Sequence, residues 1–352
     1  MGLGNNKLTY RLPAEWEKHE ATWIGWPHNK SDWPGKFTPI IWVYCEIVKK
    51  ISEGEKVRII VEDTEHKKKA IRALKDSNAK LSNLEFFTVK TDRGWTRDSG
   101  PIFVKSSKSN KVELINFKFN AWAKYENYKF DAQLPKFISK KLDLKIKQAV
   151  YKTSHVVLEG GSIDSNGSGV LLTTEECLLD PKVQVRNKNF TKKDYEKIFL
   201  DYLGIQKVIW LGKGIVGDDT HGHVDDLCRF VSPNKVLLVQ EDNPSDENYK
   251  LLKENKERLQ SESFLDNSKL EVIYLPMPSP VIFKNQRLPA SYANFYISNE
   301  FVLVPTFNDI KDKKALGILS EVFTDRKVVG IHSVDLVWGL GTLHCLTHEQ
   351  PI

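Results

Sequence analysis

The chain carries only four cysteines, Cys45, Cys177, Cys228 and Cys345, and no two of them form a Cys-x-x-Cys pair. Residues 1–7 contain no apolar leader core, so no signal peptide is expected and a disulfide framework is disfavoured. Gly2 follows Met1 without the rest of an acylation pattern, so no lipid anchor is expected either. No apolar run is long enough to span a bilayer, which leaves a cytoplasmic protein as the expectation. An arginine-rich stripe and a nucleic-acid motif are also missing. The formal charge of +6 comes from lysines scattered over predicted helices such as 249–265 and 309–323, and these read as solvated faces. No low-complexity linker divides the chain.

What is present is an ordinary globular composition, 40% apolar and 28% charged, over 352 residues. Length alone suggests two or three domains, but an internal repeat argues for one ring-shaped domain over 1–352. Four polar clusters recur, each just after a predicted strand: Arg97-Asp98, Glu159-Gly160-Gly161, His221 to Asp226, and His344-Cys345. The first two intervals are each about 60 residues and the last is about twice that. A weaker fifth segment, Ser291-Tyr292-Ala293-Asn294, falls in the long gap.

Between clusters the pattern reads strand, strand, helix, strand. The first unit is read from strands at 58–61 and 85–89 around a helix at 65–74. The second has strands at 102–104, 112–119 and near 149, with a helix at 132–142. The third has 162–163, a glycine turn at 166–169, 170–172, a helix at 192–203 and 208–210. The fourth has 229–231, 236–239, a helix at 246–259 and 272–274. The fifth has 294–297, 301–304, a helix at 311–322 and 328–330. Residues 276–289 read as a loop that could cover the site.

Gathered at one centre, the clusters supply one thiol, one or two imidazoles and several carboxylates, a set suited to covalent attack on a cation. Cys345 is the nucleophile candidate, because it follows Gly339, Gly341 and His344, whereas Cys45, Cys177 and Cys228 sit among apolar residues and read as core. His223 and Asp225 are two apart, which on a strand puts both on one face, with Asp226 pointing away in a structural role. His221, His223, Asp218 and Asp219 could instead ligate a metal. Asp98, Glu159 and Asp225 could converge on a guanidinium, whose fork of donors matches carboxylates pairwise. Gly160 and Gly161 permit close backbone approach. Trp95 could pack on a cationic or aliphatic substrate, or could be a half-buried aromatic.

Taken in order, the motifs resemble the agmatine deiminase branch of the guanidino-group-modifying, peptidyl-arginine-deiminase-like family. The matching stretches are Leu12-Pro13-Ala14-Glu15-Trp16-Glu17, His19 to Trp23, Trp26-Pro27-His28-Asn29, Trp95 to Pro101, Leu158 to Gly161, Asp218 to Asp226 and Gly339 to Cys345. The resemblance covers 10–352. It implies a five-bladed pseudo-symmetric α/β propeller of ββαβ repeats, and hydrolysis of a guanidine to a urea through a covalent thiouronium intermediate. It implies Cys345 as nucleophile, His223 as general acid/base, Asp98 and Asp225 on the guanidinium nitrogens, and Glu159 supporting the histidine or the substrate. Agmatine, giving N-carbamoylputrescine, is the substrate it favours, with free arginine and peptidyl-arginine as alternatives. Asp218 or Asp219 is the candidate for the amine tail. No metal or organic cofactor is required; a metal-dependent hydrolase is the competing class. A homo-oligomer is expected. Two departures stand out: Gly339-Leu340-Gly341-Thr342 where many members carry Gly-Gly-Gly-Asn, and His348 where glutamine is common.

Overall fold

A computed structural model describes residues 8–264 and 269–352. The opening 1–7, on which the leader and acylation readings rest, and Leu265 at the end of the predicted 249–265 helix lie outside the described residues. The fold is α/β with mixed sheets, none of them closed into a barrel.

Four of the larger sheets follow the predicted order. In each, two antiparallel strands lead into a helix, and a third strand returns parallel to the second. Ile102–Ser106 pairs Val112–Asn116, which is followed by the helix Leu134–Leu142 and the strand Ile146–Gln148. Asp164–Ser165 pairs Val170–Thr174, with Lys192–Leu203 and Lys207–Leu211 after them. Cys228–Ser232 pairs Lys235–Gln240, with Asn248–Gln260 and Glu271–Pro276. Tyr296–Ile297 pairs Phe301–Thr306, with Asp312–Val322 and Lys327–His332.

The second of these shows why the chain folds this way locally. The turn at 166–169 closes because Asn166 Oδ1 accepts from the amides of Ser168 and Val170, while Gly167 and Gly169 take φ of +71° and +89°. The helix starts at a capping box, Thr191 and Asp194 exchanging side-chain and backbone bonds. Tyr195, Ile198, Phe199 and Leu203 recur at helical spacing and bury one face, each contributing about 1.5–3 kcal/mol. It ends at Gly204, φ +72°, where a β-carbon would stand 1.9 Å from the Tyr10 carbonyl oxygen.

The remaining large sheet differs from the sequence reading. Its central strand is His19–Gly25, flanked on one side by Lys56–Val61 and Leu84–Thr88 and on the other by Thr347–Pro351. The periodic pattern of this unit is evident only from residue 58, so His19–Gly25, the helix Phe37–Gly54 and the long-range seam are additions from the structure. That helix has no side-chain N-cap bond and no acidic residue in its first turn, the two signals a reader looks for. The seam is held by Trp23 Nε1 donating to Gln350 Oε1 at 3.0 Å.

Between the sheets lies a buried ionic hub. Glu15 accepts from Arg229 Nη2 at 2.8 Å, from Arg97 Nη2 at 3.3 Å and from the amide of Ile297 at 2.8 Å. Burial works against its charge, but Arg229, His344 and Arg97 outweigh it and hold the carboxyl well below the usual range. Such a network ties distant units together, because stripping one partner leaves an uncompensated buried charge.

Candidate active site

Each predicted cluster sits between the last strand of one sheet and the first strand of the next, where short turns aim side chains inward. Asp98 lies on the one-turn helix Thr96–Ser99, and Cys345 on Leu343–Leu346. Glu159 caps the turn Gly160–Ser162, and His223 precedes the turn Val224–Asp226. Asn294 precedes Tyr296–Ile297.

The structure brings Asp98, Glu159, His223, Asp225, Asn294 and Cys345 together, all of them buried. Cys345 Sγ lies 3.6 Å from Asp225 Oδ2 and accepts from Asn294 Nδ2 at 3.1 Å. Asn294 Oδ1 also accepts from Thr342 Oγ1 at 2.8 Å and from the His344 amide at 3.0 Å, so one side chain fixes the loop and the sulfur. Burial pushes the thiol pKa well up. Asp225, Asp226 and Asp98 push it further, and the Asn294 bond pulls it back only in part.

The His223 ring stands between two carboxylates, Nε2 3.6 Å from Glu159 Oε2 and Nδ1 3.9 Å from Asp98 Oδ2. Neither nitrogen has a hydrogen-bond partner. Burial lowers the imidazole pKa, but Asp98, the neighbouring Cys177 and Glu159 overcome this and hold it well above its ordinary value. Glu159 takes both oxygens to Arg186 Nε at 3.1 and 3.2 Å, and that charge outweighs burial to keep the carboxyl low. Asp98 accepts from Trp122 Nε1 at 2.8 Å and from the Gly161 amide at 2.9 Å. Burial and the neighbouring Asp225 and Glu159 raise its pKa against the pull of His223. The glycine reading holds: a β-carbon on Gly161 would lie 2.6 Å from His223 Nδ1, and one on Gly160 2.2 Å from the Arg97 carbonyl oxygen.

Asp225 is held by His344, whose Nδ1 lies 2.7 Å from Asp225 Oδ2 and whose Nε2 lies 2.8 Å from Glu15 Oε2. His344 and the adjacent charges outweigh burial and keep Asp225 below its usual pKa, while its Oδ1 is unpartnered.

The placement of Asp226 requires a correction. Residues 224–226 form a 3₁₀ turn, not a strand, so successive side chains are separated by about a third of a turn instead of alternating. Asp226 therefore does not point away: donor atoms of Asp225, Asp226 and Cys345 lie within 4.8 Å of one another. Cys177 is core, as read, yet its sulfur lies within 4.8 Å of His223 and Glu159 donor atoms. The metal set proposed from sequence does not converge. His221 Nε2 is 3.0 Å from Asp180 Oδ2, Asp218 accepts from the amides of Thr220, Gly222 and His223, and Asp219 is paired with Lys124.

Beside these groups opens a cleft lined by, among others, Trp95, Asp98, Trp122, Asp219, Leu340 and Cys345. Asp219 is thus on the cleft and Asp218 is not; its oxygens brace the loop that carries His223. Trp95 packs on Trp33 with ring centroids 5.5 Å apart. The 276–289 segment forms a small hairpin, Ile282–Phe283 with Gln286–Arg287, whose Phe283 packs on Trp338 at 4.6 Å. It lines no part of this cleft. Sequence reasoning gave no role to Trp122, Arg186 or Arg93. Trp122 sits in a run of positive φ, Ala121 to Ala123 at 50°, 58° and 53°, that no glycine announces.

Comparison with known proteins gives a consistent result. The Porphyromonas-type peptidyl-arginine deiminase family matches residues 11–351. The agmatine deiminase of Pseudomonas aeruginosa (strain LESB58) is 33% identical over 361 residues, covering 97% of this chain and 95% of that protein. Among solved structures, the agmatine deiminase of Enterococcus faecalis superposes with a TM-score of 0.88 at 28% identity, covering 97% of this chain and 96% of the other. A C. jejuni agmatine deiminase variant with substrate bound superposes at 0.86, with 30% identity and 99% and 98% coverage.

Proposed function

The chain belongs to the Porphyromonas-type peptidyl-arginine deiminase family, and on that footing we propose that it hydrolyses agmatine to N-carbamoylputrescine and ammonia. The observation that carries this reading is a buried thiol sharing a site with two carboxylates, Asp98 and Asp225, that can face a planar cation, and an imidazole held between Asp98 and a third carboxylate, Glu159. The names of the relatives and the substrate-bound neighbour support agmatine as the guanidine.

The chemistry follows from the charges. A guanidinium remains protonated in water and must be met by negative charge. Asp98 and Asp225 supply it and orient the central carbon toward Cys345. With no cation beside it the thiol is protonated, because burial first, and then the carboxylates of Asp225, Asp226 and Asp98, raise its pKa. An incoming cation reverses that field, and the thiol proton passes to solvent, leaving the thiolate. Sulfur attacks the carbon, and His223, held as imidazolium, gives its proton to the departing nitrogen. Ammonia leaves and a cationic thiouronium stays on Cys345. Neutral His223 then takes one proton from water as the oxygen adds, the C–S bond breaks with its electron pair on sulfur, the added hydroxyl gives its proton to that thiolate, and a neutral ureido product remains. Losing its positive charge weakens its hold on Asp98 and Asp225. Glu159, fixed by Arg186, keeps the imidazole charged and oriented, while Trp95 and Asp219 meet the rest of the substrate.

The same reading takes residues 1–352 as one domain whose five larger sheets are blades of a pseudo-symmetric propeller, and takes the working form as a cytoplasmic homo-oligomer. Rapid quench with agmatine followed by mass spectrometry tests the chemistry. The expected product is Cys345 carrying agmatine less ammonia; a chain that turns over with no adduct at any time removes the covalent step. Ammonia release from agmatine, free arginine and a blocked arginyl peptide, run side by side, decides the tail, and preference for the peptide reverses the substrate choice.

A further inference from the structure

Leu340 stands on the cleft wall with Cys345, half-buried, at φ +67° and ψ +27°. In that left-handed region a β-carbon crowds the following carbonyl, and glycine is the residue that goes there freely. Nothing in the backbone calls for a side chain at this point. The bond that closes the turn runs from the Leu340 amide to the Val337 carbonyl oxygen at 2.9 Å, and a glycine would make it equally well. Retained strain beside a reactive group points to use of the side chain.

The surroundings say what that use is. The charges at the cleft mouth already have partners. Arg93 pairs with Asp32 and lies over the Tyr125 ring at 4.4 Å. Asp219 accepts from Lys124 Nζ at 2.6 Å and from the Tyr125 hydroxyl at 2.7 Å. The apolar surface offered to the alkyl segment of a tail is that of Leu340 with the two indoles, Trp95 and Trp122. We infer that Leu340 is a specificity-determining residue that packs on the alkyl segment between the guanidinium and the far end of the substrate, so that the cleft selects monosubstituted guanidines with an unbranched methylene chain. This rests on the guanidine-hydrolase reading of the same cleft. A charged group on that segment would be desolvated against an isobutyl face, and a branch would need room that Leu340 and the two indoles fill.

The test is calorimetric binding of methyl-, ethyl-, propyl- and butylguanidine to Cys345→Ser protein, with Leu340→Gly and Leu340→Ala added in turn. With Leu340 present, affinity should rise about fourfold per added methylene. Both substitutions should flatten that rise while leaving methylguanidine binding within about twofold. Only Leu340→Gly should also raise the melting temperature, since alanine keeps the strained β-carbon. A chain-length dependence unchanged in both variants overturns the inference and leaves Leu340 as packing on the adjacent hydrophobic core cluster. Because binding is read without turnover, failure of wild-type protein to deiminate agmatine would count against the reaction and not against this result.

Discussion

Cys345 and His223 illustrate how charge sets reactivity before any substrate arrives. Burial and the carboxylates of Asp225, Asp226 and Asp98 keep the thiol protonated, whereas Asp98 and Glu159 keep the imidazole charged. The resting thiol should therefore react slowly with iodoacetamide at neutral pH, with the rate rising only well above the ordinary thiol range. Asp225 is ionised and 3.6 Å from the sulfur, so Asp225→Asn removes a charge that disfavours the thiolate. The alkylation profile should shift toward lower pH, and agmatine turnover should fall because a guanidinium ligand is lost. A profile that moves to higher pH, or not at all, would contradict the electrostatic picture. The same residues mark the limit of a linear reading. Cys345, His223, Asp98 and Glu159 were legible because each lies in a short polar motif. Arg186 and Trp122 were not, because their partners Glu159 and Asp98 lie 27 and 24 positions away and nothing local announces the contact.

Among the elements, repeated strand–strand–helix–strand units were legible because apolar periodicity and glycine turns are local signals, as at 166–174. The edge-sharing sheet was not, because Thr347–Pro351 finds its partner His19–Gly25 across almost the whole chain. His348 sits in that seam with its Nε2 2.6 Å from the Pro101 carbonyl oxygen and its ring tilted on Phe103 at 5.4 Å. Burial, with Arg97, outweighs Glu349 and lowers its pKa from 6.5 to about 4. The folded chain therefore binds fewer protons than the unfolded one between those values, so stability is full above pH 6.5 and is lost as pH falls toward 4, by up to about 3 kcal/mol. His348→Gln can keep the donation to Pro101 and should remove that acid sensitivity; urea midpoints at pH 7 and pH 4.5 measure it, and an unchanged difference between them would refute the assignment. Gly204→Ala should lower the urea midpoint at constant m-value, since its β-carbon would meet the Tyr10 carbonyl; an unchanged midpoint would show that the helix end yields freely.

For the molecule as a whole, the clusters that recur along the sequence do meet, and the weak fifth segment joins them through Asn294. The recurrence was readable because each unit ends in the same kind of turn. The one-turn geometry at 224–226 was not, since a two-residue spacing fits a strand equally well, and it changes where Asp226 points. No helix among the described residues is long and apolar enough to cross a membrane. On the proposed function, one buried thiol removes ammonia from agmatine without needing a metal. Ammonia release by the purified chain, with chelator present and beside Cys345→Ala, tests that claim most directly. Steady release by the wild type and none by a folded Cys345→Ala is the predicted result. Release that survives the substitution, or that the chelator abolishes, would contradict it.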